Sequence, residues 1–247
     1  MVGCRGLLGI EDPTVGGDGG PGDGDPLCTG DDDDGDGTSD GCDPCPMYPE
    51  PTADHDTDDD GIGDGCDPNP QAKGDQRVMW THFASATDIA TWSILGGTWS
   101  VEGGRLQQAD AAATARITPP GTYSNVHIAT EIDILSRGTG PYGGACGYIG
   151  TNTFKCCDVR EETFVVELMA WNQIATSVID WSGGFQPGTS YELTNTARNT
   201  TMRCVARRQP TTAEVTLANA DTSGKIALHT RQAALAYRYL FVVQMPP

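Results

Sequence analysis

The sequence predicts an all-β domain preceded by a loop-rich acidic segment organised around cations. Three observations carry this. From Val78 onward, β-branched and aromatic residues fall in short alternating runs bounded by Gly, Pro and Asn, with no amphipathic helix between them. Residues 1–70 hold 20 of the 34 acids and a single base, Arg5, so the whole net charge of −19 belongs to them. Within that segment one pattern of acids and glycines occurs twice, 24 residues apart.

The β runs fall near residues 78–83, 98–102, 105–109, 113–118, 125–135, 144–149, 154–160, 164–171, 174–180, 190–197, 200–207, 213–219, 225–231 and 236–244. Many short strands at close spacing specify a sandwich or a barrel. In one of them Val126, Ile128, Thr130, Ile132 and Ile134 alternate with Asn125, His127, Ala129, Glu131 and Asp133. That alternation places one side on a core and leaves the other off it.

The acidic segment cannot collapse by hydrophobic burial, because it repels itself and has little to bury. Residues 1–27, rich in Gly, Asp and Pro, read as a tether, residues 28–70 as the repeat stalk, and residues 71–77 as a polar linker to the domain at 78–247. A chain this acidic does not bind phosphate backbones, which excludes nucleic acid as a partner.

The repeats read DDDGDGTSDGCDPCP from Asp32 and DTDDDGIGDGCDPNP from Asp56. Acids occupy relative positions 1, 3, 5, 9 and 12: Asp32, Asp34, Asp36, Asp40 and Asp43, then Asp56, Asp58, Asp60, Asp64 and Asp67. Glycine follows at position 6, as Gly37 and Gly61. Alternate carboxylates on a curled loop converge on one point, and the glycine allows the sharp turn. Position 7, Thr38 and Ile62, would add a backbone carbonyl. Hard oxygen ligands with no His or thiolate among them select Ca2+. Two copies of one spacing are more than a solvated acidic run requires. Cys42-Asp43-Pro44-Cys45 lacks the second pair of a zinc site and the βα unit of a redox motif. These residues resemble the thrombospondin type 3 repeat over about residues 28–70, and less closely an EF-hand loop. The resemblance implies calcium ions in place of an apolar core and disulfides stapling successive repeats. Only two repeats are present, and Asn69 stands where the first has Cys45.

Setting Cys4 aside, four cysteines lie in the acidic segment and four in the remainder, a parity that suits two disulfide frameworks in an oxidising compartment. Short steps between repeats favour Cys28–Cys42 and Cys45–Cys66. In the β domain, a turn at residues 150–153 brings Cys146 opposite Cys156 or Cys157. Those neighbours point to opposite faces, so one pairs with Cys146 and the other reaches Cys204. The register leaves open which. No stretch approaches the apolar length of a membrane helix. Met1-Val2-Gly3-Cys4 resembles the end of a bacterial lipoprotein signal, which implies a start upstream or a trimmed chain, lipid on Cys4 as the sole membrane attachment, and a secreted or cell-surface location, on the outer membrane if lipidated.

Phe83 to Gln108, with Trp-Ser-Val-Glu-Gly-Gly-Arg-Leu, and Gly224 to Val243 resemble the opening hairpin and closing strands of the laminin-G/concanavalin-like jelly roll, over about residues 78–244. The resemblance implies a jelly-roll β-sandwich. Where many relatives have Phe-Asp in the last strand, this chain has Ala236-Tyr237-Arg238-Tyr239, against a calcium site in the sandwich. Glu131-Ile132-Asp133-Ile134-Leu135-Ser136 resembles the Glu-x-Asp-x-x-Glu strand of retaining β-glucanases, with Ser136 in place of the acid/base carboxyl. Serine cannot protonate a leaving group as a carboxylic acid does. His55, His82, His127 and His229 have no motif partners, no Gly-x-Ser-x-Gly elbow occurs, and no catalytic residue is assigned. The five tryptophans read as packing residues, with a sugar-stacking platform as the functional alternative. Asn199-Thr200-Thr201 is a glycosylation sequon, of consequence in a eukaryotic source. The sequence thus predicts a non-enzymatic, calcium-binding surface module, structural or adhesive, presenting a sandwich on a calcium-rigidified stalk to surface proteins. The alternative is a glycan-binding module, ahead of a glycoside hydrolase.

Overall fold

A computed structural model of the chain describes residues 31–49, 52–112, 114–149, 154–160, 165–170, 173–178, 185–218 and 222–247. The tether, lipidation at Cys4, the Cys28–Cys42 pair, the turn at 150–153, Trp171 and Trp181 lie outside these residues. In chain order the strands are β1 (Gln76–Thr81), β2 (Ser93–Leu95), β3 (Trp99–Val101), β4 (Leu106–Gln108), β5 (Thr114–Thr118), β6 (Tyr123–Ser124), β7 (Val126–Ile149), β8 (Phe154–Arg160), β9 (Val165–Ala170), β10 (Gln173–Val178), β11 (Ser190–Arg198), β12 (Thr201–Arg208), β13 (Thr211–Ala218), β14 (Ser223–Tyr237) and β15 (Leu240–Gln244). One 3-10 turn occurs among the described residues, Ala86–Ile89, and it is capped by Ser85. There is no α-helix among the described residues, and the protein is an all-β sandwich.

β7 organises both layers. Its first half pairs with β11 on one edge and β15 on the other, and its second half with β8 and β14. The first sheet runs β1-β15-β7-β11-β12-β13, and the second runs β10-β9-β8-β7-β14, with β4, β5 and β6 on the far edge of β14. Where β11 leaves and β8 begins, the shared pair bends. Gly140 and Gln232 have positive φ there, and the β7–β14 register shifts between Arg231 and Ala233. A strand bends at such points without losing its ladder. The residue pattern divides β7 into runs at 125–135 and 144–149. The glycine-rich stretch between them reads as a loop, but β14 pairs with Ser136 and Arg137 before its irregularity and with Tyr142 and Gly143 after it, so the strand continues through. β9 and β10 close over β12 and β13.

The core lies between the layers. Val126, Ile128, Thr130, Ile132 and Ile134 are all buried, as their alternation requires. The opposite side of the strand is not open: Ala129 and Asp133 are buried too. Cys157–Cys204 crosses the core, and Cys146–Cys156 staples β7 to β8. The open register is thereby resolved, with Cys156 directly opposite Cys146. Truncating Ile132, which is fully buried, creates a cavity, so Ile132→Ala should lower unfolding stability by about 2–5 kcal/mol. Ile94→Ala, on an exposed edge, should stay within about 0.5 kcal/mol. Urea unfolding midpoints of the two variants measure the contrast, and equal losses would contradict this placement of the core.

Candidate metal centres and the cleft beside them

The two repeats share a set of loop-closing hydrogen bonds. The Asp40 and Asp64 amides donate to the Asp31 and His55 carbonyls. Gly37 and Gly61, both at positive φ, donate to Asp32 and Asp56. Thr38 and Ile62 donate to Asp36 and Asp60, and Cys45 and Asn69 to Asp43 and Asp67. Each seventh residue therefore turns back into its loop, and the Ile62 side chain is buried on the sandwich side.

Asp32, Asp34 and Asp36 converge, as do Asp56, Asp58 and Asp60, with ligand atoms within 4.8 Å of one another. A third group joins Asp36 and Asp43 to Asp54. In the second repeat the Asp75 amide donates to Asp60, and its carboxyl meets that of Asp67. Asp54 and Asp75 thus occupy corresponding places after their loops, and the repeat spacing picks out neither. Asp54 falls between the repeats and Asp75 in the expected linker, outside the alternate-residue pattern. Their only signal is an acid within a short stretch following each loop.

Position 9 departs from expectation. Both oxygens of Asp64 accept from Thr57, one from its amide and one from its hydroxyl. Asp40 accepts from the Asp33 amide with one oxygen and from Trp80 Nε1 with the other. These carboxylates close the loops instead of facing the converging set.

The carboxylates that do converge are poorly served by the protein. Buried oxygens of Asp34, Asp43, Asp54, Asp58, Asp67 and Asp75 have no hydrogen-bond partner, and for Asp58 this holds for both. Burial and neighbouring acids push Asp43 up to about 6, Asp67 to about 7 and Asp54 to about 8. Oxygen-only clusters with orphaned buried atoms fit a hard divalent cation.

The repeats do not stand clear as a spacer. They lie across the outer face of the first sheet, over β1, β15 and the start of β7. Cys45, Ala53, Ile62 and Cys66 form a second small core with Ala129, Tyr239, Phe241 and Val243. The expected Cys45–Cys66 disulfide lies in it. Gly63 and Gly65 admit Ala53 so closely that a Cβ on either would strike it. Arg77 donates to the Asp43 carbonyl at 2.6 Å, and Tyr48 donates to Glu192.

Beside this contact a cleft of about 230 Å3 opens between the second repeat and strands β7, β11 and β12. His127, Thr194, Thr196, Arg203 and Arg207 line it from the sheet as its floor, and Tyr48 and Asp67 line it from the repeat side. These residues share a face because register sets His127 beside Thr196 and Thr196 beside Arg203. His127 Nδ1 lies 2.7 Å from Thr196 Oγ1, and desolvation with the two nearby arginines lowers it to about 4. Arg203 is held by Glu214 through two bonds, and Arg207 by Glu192 at 2.7 Å. Further along β7, Glu131 meets Arg238, and Asp133 meets Arg238, Arg105 and Ser190. These pairings replace the free carboxylate pair that the glucanase-like segment would need.

No protein-family model matches the sequence, and no curated protein matches it. Solved structures resemble it in fold. A Bacillus subtilis protein of unknown function with a galectin-like fold gives a TM-score of 0.54 at 11% identity, covering 69% of this chain and 98% of that one. Lectin II from Ulex europaeus gives 0.50 at 8%, over 69% of this chain and 100% of the lectin. The GH43 protein BlXynB from Bacillus licheniformis gives 0.52 at 13%, over 71% of this chain but 41% of its own.

Without a cation, the raised carboxyls of Asp43, Asp54 and Asp67 keep protons to higher pH than in the unfolded chain, where such groups ionise near pH 4. The folded state then binds more protons between roughly pH 4 and 8, so its stability falls as pH rises through that window. Limited proteolysis in chelator should cut the repeats faster at pH 8 than at pH 5. Added Ca2+ should remove the difference, and a cutting rate in chelator that is flat or falls with pH would oppose this account.

Proposed function

We propose that the protein is an extracytoplasmic glycan-binding module whose cleft is completed by calcium-ordered repeats. The observation that carries the reading is the chemistry of the cleft. Its arginines are matched by glutamates and its histidine is neutral at physiological pH, so it offers fixed donors and acceptors with little net charge. Such a surface suits hydroxyl groups, which donate and accept together, better than phosphates or apolar chains. The fold it shares with a plant lectin is consistent with this.

Calcium would be held by Asp32, Asp34, Asp36 and Asp43 with Asp54 in the first repeat, and by Asp56, Asp58, Asp60 and Asp67 with Asp75 in the second. When bound, it supplies the positive charge these carboxylates lack. Asp67 belongs to the second set and also lines the cleft, so the ordered repeat is part of the binding wall. The three disulfides among the described residues favour an oxidising compartment. A lipid on Cys4 would hold the module at a membrane surface. A stalk that only presents the sandwich fits less well, since the repeats are packed along the sheet. Catalysis fits less well too, because Glu131 and Asp133 are held in ion pairs.

A glycan array probed with the full chain in Ca2+ tests the reading. Neutral oligosaccharides should be retained, and Arg207→Ala should weaken binding at least about tenfold, the scale of one lost charge-assisted hydrogen bond. Thr196→Trp, which fills the cleft floor, should abolish it. An array without any bound glycan, or binding that survives Thr196→Trp, would overturn the proposal.

A further inference from the structure

A separate ligand set lies at the seam between the first repeat and β1. Asp31, Asp33 and Asp40 come from the repeat, and His82 follows β1 directly. His82 Nδ1 lies 2.8 Å from Asp33 Oδ2 and 3.1 Å from Asp40 Oδ2, while Nε2 lies 3.2 Å from Asp31 Oδ2. Asp40 is buried, and Trp80 Nε1 and the Asp33 amide fix its two oxygens. Asp33 alternates with Asp32 and Asp34, which join the loop cluster with Asp36, and its own carboxyl joins Asp40 and His82 instead.

Counting protons shows what this arrangement lacks. A neutral imidazole carries one N–H. With the proton on Nε2, Asp31 is satisfied, but the Nδ1 lone pair faces two carboxylates. With the proton on Nδ1, the Nε2 lone pair faces Asp31. Neither neutral tautomer suits both edges, whereas a cation on the Nδ1 side suits all four groups.

We propose that Asp33, Asp40 and His82 Nδ1 form a binding site for a borderline first-row divalent ion, Zn2+ in type, with Asp31 orienting the ring from outside. One imidazole and two carboxylates match the donor preference of such ions. A ligating histidine ordinarily donates its other N–H to a carboxylate or carbonyl, which is the position of Asp31. Ca2+ prefers oxygen-only sets, so the loops and this site sort two metals within a few residues. Because its ligands come from both sides of the seam, the ion would staple the first repeat to the sandwich.

The test is calorimetric titration of Zn2+ into the full chain already saturated with Ca2+, repeated with Co2+ and read by its visible absorption. One equivalent is expected that His82→Gln removes. Asp31→Asn should keep that equivalent with affinity lower by about 10–100-fold, the usual effect of losing an outer partner. Absence of Zn2+ uptake would mean that a proton alone closes the cluster, and the proposal fails. Uptake that survives His82→Gln would place the ion elsewhere, and the proposal fails there too. If His82→Gln does not fold, Asp31→Asn decides, and unchanged affinity there overturns the site.

Discussion

Mutual repulsion among clustered carboxylates is the constraint on which the rest of this architecture depends. Ligand atoms of three aspartates lie within 4.8 Å in each loop. At that separation like charges repel, and the cost rises with every further member of the cluster that ionises. The small core under the repeats, built from Cys45, Ala53, Ile62 and Cys66, cannot offset that alone. Protons relieve the repulsion at low pH, and bound cations would relieve it at physiological pH. The fold of residues 31–75 is therefore tied to what neutralises it.

That dependence spreads because the repeats are packed on the sandwich. Phe241, Val243 and Ala129 point away from the main core, and in a bare sandwich they would form an apolar strip on the outside of β15 and β7. The repeats cover the strip. Trp80 bridges the two parts: its ring packs near Tyr239 and Phe241 while its N–H reaches Asp40. Losing order in the loops would expose this strip to water. It would also remove Tyr48 and Asp67 from one side of the cleft.

Much of this is readable in the residues, for identifiable reasons. The period-2 pattern of Val126 to Ile134 reports burial directly, because one strand face meets the core. The repeat spacing reports loop geometry directly, because the same glycine and aspartate positions make the same local hydrogen bonds. Among the described disulfides, Cys45–Cys66 follows from the short step between repeats, while the hairpin narrows the partner of Cys146 to Cys156 or Cys157 and only the register chooses between them. What cannot be read is whatever depends on distant partners. Ala129, Phe241 and Val243 give no sign that a segment from before residue 76 covers them. Asp75 reads as part of a linker because its partners, Asp60 and Asp67, are met only once the loop has folded back. His82 reads as solitary because its carboxylates lie about 40 to 50 residues earlier.

The same dependence on cross-strand neighbours decides what the Glu131-Ile132-Asp133 segment means. Alternation does set the two carboxylates on one face, as a hydrolase strand would require. Their chemistry, however, is set by what stands beside them. Arg238 lies within 3.3 Å of Glu131 and 3.1 Å of Asp133, and Arg105 lies 2.8 Å from Asp133. Those cations, with Ser190, hold Asp133 below the usual carboxylate range even though burial acts the other way. A carboxylate held ionised by two arginines is a poor acid, and one whose lone pairs are occupied is a poor nucleophile. Along the same face, the Glu192–Arg207 and Glu214–Arg203 pairs repeat the arrangement toward the cleft. Charge on this sheet is fixed in place by its pairing, which is the condition for recognising a polar, uncharged ligand by geometry.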